Sequence, residues 1–81
     1  MLLKEIQLLF DDGSMNQCTI TDAPLAEGLY NLCFARRGKK EDVLLETQRG
    51  GVRNFKSYDA AILVAKEVGF RNISIEVSTY G

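Results

Sequence analysis

The chain has no histidine and no tryptophan, a single proline and two cysteines in 81 residues. Each shortage excludes something. Without histidine, the usual general base near neutral pH is missing. Cys18 and Cys33 have no imidazole to complete a set of four ligands, so a structural zinc site is not expected. No Cys-x-x-Cys, Gly-x-Ser-x-Gly, Gly-x-Gly-x-x-Gly, Walker-type or His-Glu-x-x-His pattern occurs. The carboxylate pairs Asp11-Asp12 and Glu41-Asp42 fall in turn-like stretches, where such residues form turns by bonding their own backbone. No enzyme, cofactor or metal is expected.

Long apolar runs are also missing. The longest, Ala60 to Ala65, has six residues, far short of the roughly 20 that a membrane-spanning helix needs. The N-terminal Met1-Leu2-Leu3 has no basic flank before it and no small-residue cleavage site after it, so no signal peptide is read and a cytoplasmic location is expected. Both cysteines are expected as small buried hydrophobes on strands. A disulfide would need those strands to be neighbours, and a reducing compartment argues against it.

What is present is ordinary globular composition: 46% apolar, 26% charged and a net charge of −1. A chain of this length forms one domain, residues 1–81, and buries roughly 60–65% of its unfolded surface.

Residues 2–10 read as a strand, because Leu2, Ile6, Leu8 and Phe10 share one parity. Asp11-Asp12-Gly13-Ser14 reads as a hairpin turn back into a weaker strand over 15–20. Thr21 to Gly28 reads as a short helical turn, opened by Thr21 or Asp22 with Pro24 in its first positions. Residues 29–36 are apolar on both faces and read as a central strand. Strands over 42–48 and 52–56 follow, with Gly50-Gly51 turning between them. Ser57 as N-cap, Asp59 in the first turn and Gly69 as a stop delimit a helix over 57–68. Its stripe, Ala61, Val64, Ala65 and Val68, faces a sheet. Residues 71–79 alternate cleanly and rejoin that sheet. The expected fold is α+β, a single mostly antiparallel β-sheet in the order β-β-β-β-β-α-β with one helix packed on one face.

Charge is unevenly placed. Residues 1–35 carry Lys4 against Glu5, Asp11, Asp12, Asp22 and Glu27, a net of −4. Residues 36–56 carry Arg36, Arg37, Lys39, Lys40, Arg49, Arg53 and Lys56 against Glu41, Asp42 and Glu46, a net of +4. A basic meander can contact phosphates irrespective of sequence. Arg36, Arg37, Lys39, Lys40, Arg49 and Arg53 are therefore the candidate nucleic-acid contacts. In element order alone, three antiparallel strands and a helix over 29–68 are similar to small sheet-reading DNA-binding domains of AP2 type and of integrase arms. That resemblance implies readout by the face opposite the helix, for which Tyr30, Arg36 and Arg53 are the available residues.

The helix offers a second surface. Positions 60 to 65 are apolar without a break, and they cannot all face one sheet because successive residues turn by about 100°. Ile62 and Leu63 on its flank are the candidate contacts for a protein partner or a symmetric homodimer, and a free strand edge is the other such surface. Alternatively, the loop at residues 21–28 covers Leu63.

Overall fold

Residues expected to open the sheet form a helix instead. The computed structural model describes residues 1–24 and 26–76. Its elements are α1 (Leu3–Asp11), β1 (Met15–Asp22), β2 (Tyr30–Arg36), β3 (Val43–Leu44), α2 (Tyr58–Val68) and β4 (Ile73–Glu76). Helix α1 starts without a capping hydroxyl. The Glu5 carboxylate accepts from the Leu2 N–H at 2.9 Å, which satisfies one free donor of the first turn. The helix buries Ile6, half-buries Leu3, Leu9 and Phe10, and leaves Leu8 exposed.

Both helices end the same way. Past α1, Gly13 has φ +83° and the Ser14 N–H reaches back to the Leu9 carbonyl at 2.9 Å. Past α2, Gly69 has φ +127° and the Phe70 N–H reaches the Ala65 carbonyl at 3.1 Å. A glycine in a positive-φ conformation lets these orphan carbonyls find a donor. The Asp-Gly step is thus a helix stop and not a hairpin turn. At the other end of α2, Ser57 accepts from the Ala60 N–H at 3.2 Å, as its position predicts.

The sheet has four strands in the order β3-β2-β1-β4. β1 pairs antiparallel with β2, β2 antiparallel with β3, and β1 parallel with β4. The domain is therefore a small α+β unit with one four-stranded mixed sheet, two of its three pairings antiparallel, and two helices; the strand count and order differ from the expected β-β-β-β-β-α-β, because its first strand is the helix α1 and the segment 52–56 forms no strand. The expected strand over 42–48 shrinks to Val43–Leu44. The segment 52–56 joins only through single bridges, Val52 to Glu46 and Phe55 to Tyr30. Residues 77–79 of the last expected strand, and Leu25 of the expected short turn, lie outside the described residues. Thr21 and Asp22 belong to β1, and the Ala23 N–H bonds to the Leu29 carbonyl at 2.9 Å to close the β1–β2 connection.

Register fixes the two faces. Cys18 stands opposite Phe34 and Ile20 opposite Leu32, and these four buried side chains share one face. Ile6 of α1 and Ala61, Ala65 and Val68 of α2 join them in one core, with Phe55 and Phe70. Burying a side chain such as Ile20, Leu32 or Phe34 stabilises the fold by roughly 1.5–3 kcal/mol each. The small alanines bring α2 close to the sheet. The Gln7 amide donates to the Val68 carbonyl at 2.8 Å and ties α1 to the end of α2.

Candidate nucleic-acid interface

The basic residues lie on the two connections at the ends of β3. At the first, Arg36 ends β2 and its carbonyl accepts from the Lys39 N–H at 3.2 Å. Gly38, with φ +77°, allows that tight reversal. The Arg37 N–H is held by the Ser14 carbonyl at 2.7 Å. The turn so fixed sends Arg37, Lys39 and Lys40 into solvent, while Arg36 is half-buried. Arg36, Lys39, Lys40, Glu41, Asp42 and Val43 line a hollow of about 370 Å³. None of the four cations forms an ion pair with a carboxylate among the described residues. The buried Nε of Arg36 finds no hydrogen-bond partner there either.

At the second connection, Arg49 sits in a tight loop closed by the Thr47 N–H on the Gly51 carbonyl at 2.7 Å. Arg53 lies over the Phe55 ring, 5.0 Å from its centroid, in a cation–π contact. The buried Asn31 amide holds this stretch. It donates to the Arg53 carbonyl at 3.0 Å, to the Asn54 side-chain oxygen at 2.8 Å and to the Tyr30 carbonyl at 3.2 Å. Lys4 of α1 and Arg53 line a further hollow of about 420 Å³. Nothing in the sequence marked Lys4, because residues 2–10 read as a strand.

The structure brings Arg36, Arg37, Lys39 and Lys40 together. It places Arg49 and Arg53 elsewhere, since Phe55 pairs with Tyr30 at the opposite end of β2 from Arg36. Six residue steps of strand put about 20 Å between the two ends.

The face of the sheet away from the helices has a different character. Register places Thr19, Thr21, Cys33, Leu44, Ser74 and Glu76 on it. Thr19, Thr21, Cys33, Ser74 and Glu76, with Asp42, line a hollow of about 320 Å³ that no cation lines among the described residues. Tyr30 does not point here; its ring meets Tyr58 of α2 at 4.3 Å between centroids. Arg36 shares the parity of Tyr30. The face that would read a groove in a sheet-reading domain thus lacks both residues.

The Cys33 thiol donates to Asp42 Oδ2 at 3.5 Å. Burial first, then the bond and charge of Asp42 and the charge of Glu76, push this thiol up to about 11. A thiol held protonated at neutral pH is a poor nucleophile. Burial pushes Cys18 up to about 12, with a smaller contribution from Cys33. The two cysteines lie on neighbouring strands but on opposite faces, and both are free.

Of the two helix-flank residues, Ile62 packs partly buried against the core, and Leu63 is 62% exposed. No residue of the 21–28 loop that is described covers Leu63. No helix among the described residues is long and apolar enough to cross a membrane. No protein family, curated protein or solved structure matches the chain.

Proposed function

We propose that this domain acts by binding, and that it contacts the phosphate backbone of nucleic acid through the β2–β3 turn. One observation carries the reading: Arg36, Lys39 and Lys40 line one hollow with Arg37 exposed on the same turn, and none of the four forms an ion pair among the described residues, although Glu41 and Asp42 line the same hollow. Cations free of internal partners are available to displace counterions from phosphates. The Cys33 thiol of the open sheet face, pushed up to about 11, is no ready nucleophile near neutral pH, which favours binding over catalysis. Fluorescence anisotropy with a labelled mixed-sequence duplex at about 50 mM salt tests this, because phosphate contacts are strongest at low salt. Saturable binding is expected, and charge reversal by Lys39→Glu with Lys40→Glu should weaken it at least about tenfold. Equal binding by wild type and variant contradicts it.

A second reading draws on Leu63, exposed in the middle of α2. A symmetric homodimer, or a protein partner, would cover that side chain. Light scattering decides it, as set out below.

A further inference from the structure

β3 is one edge of the sheet; the two connections that flank it hold six of the seven cations of residues 36–56, and the seventh, Arg36, ends β2. Arg37, Lys39 and Lys40 are exposed at one end, Arg49 and Lys56 at the other. Arg36 and Arg53 are half-buried, and Arg53 is engaged over Phe55. The span between the ends is about 20 Å, room for several successive phosphates of one strand.

Two of the three carboxylates of residues 36–56 have partners, and the third, Glu41, is exposed and lines the hollow with Lys39 and Lys40. Glu46 binds the N-terminal ammonium, and Asp42 accepts from the Cys33 thiol. The open face is unlike it: its hollow is lined by Asp42 and Glu76 and, among the described residues, by no cation. A polyanion is therefore attracted to the β3 edge and repelled from the open face.

We infer that both basic groups hold a single phosphodiester backbone, and that duplex DNA runs along the β3 edge instead of lying on the open sheet face. It rests on the nucleic-acid reading above and adds the path of the backbone. The test uses the full chain and a labelled duplex of about 16 base pairs, which exceeds the roughly 20 Å span. Affinity is measured against salt for wild type, for Lys39→Gln with Lys40→Gln, and for Arg49→Gln with Lys56→Gln. Circular dichroism checks that each variant is folded. Five exposed cations in one footprint predict a slope of log affinity on log salt of about −4.5, falling to about −2.7 in either double variant. The inference is overturned, and the reading above stands, if Arg49→Gln with Lys56→Gln leaves slope and affinity unchanged while the other variant loses both. Two independent duplex sites per chain overturn it equally. No binding by wild type at about 50 mM salt removes the nucleic-acid reading itself.

Discussion

Gly69 and Phe10 fit together because Gly69 has no side chain. A Cβ at Gly69 would stand 2.5 Å from Cε1 of the Phe10 ring. Phe10 in turn meets Phe70 at 4.7 Å between ring centroids, and Phe70 meets Phe34 at 5.6 Å. The end of α2, the end of α1 and the centre of β2 are thus locked through one aromatic chain. Gly69→Ala combines a positive φ with a clash, and should destabilise the domain by roughly 2–4 kcal/mol. Urea unfolding measures it; a change below about 0.5 kcal/mol would mean that the ring moves aside freely.

How far the fold can be read from sequence is clear from these two glycines. Gly69 was recognisable as a stop because Ser57 and the Ala61, Val64, Ala65, Val68 stripe announce the helix before it. Gly13 was not, because α1 lacks a capping Ser, Thr, Asn or Asp at Leu2, and Leu2, Ile6 and Phe10 satisfy a four-residue helical spacing and an even parity alike. β2 was legible because it is paired on both sides, and its side chains show it. The mixed sheet was not, because the parallel pairing of β4 with β1 is long-range and leaves no local signal. The clustering of Arg36, Arg37, Lys39 and Lys40 was visible as adjacency in the chain. The separation of Arg49 and Arg53 from them depends on the length of β2 and the Tyr30–Phe55 bridge, which only the fold supplies.

Asn31 is 2% exposed and makes three hydrogen bonds through one amide nitrogen. Asn31→Ala removes the clamp on residues 53 and 54. A cost of about 1–3 kcal/mol is expected, the penalty for buried groups that lose a partner. Hydrogen exchange at the Arg53 and Phe55 amides should accelerate beyond the global change. Unchanged protection there would show that the loop is held by its backbone bridges alone.

The outer and inner faces of α2 should respond oppositely. Leu63→Lys should keep the fold with stability within about 0.5 kcal/mol, since the side chain is mostly exposed. Ala65→Asp, at a fully buried position, should unfold the domain, because an unpaired charge would be buried. Light scattering on wild type and Leu63→Lys then decides the second reading. A dimer that Leu63→Lys converts to a folded monomer supports it, and a wild type that is monomeric at high concentration removes it.

Stability should fall at alkaline pH. Cys18 titrates near 9.0 in the open chain and is pushed up to about 12 by burial, with Cys33 raised in the same direction. Below 9.0 both states hold the proton. Above it the unfolded chain releases the proton and the folded chain keeps it, so unfolding is favoured progressively until the folded thiol titrates. Urea midpoints should therefore decline as pH rises past 9.0, and Cys18→Ala should show a shallower decline from a lower starting stability. An identical pH profile in the variant would assign the decline to other groups.

The central claim is that the β2–β3 turn, and not the open sheet face, meets nucleic acid. Amide chemical-shift mapping during titration with a mixed-sequence duplex at about 50 mM salt tests it most directly. The account predicts that the largest shifts fall on Arg37, Gly38, Lys39 and Lys40, with Thr19, Thr21 and Ser74 unmoved. Shifts centred on Thr19, Thr21 and Ser74, or none at any amide, would contradict it.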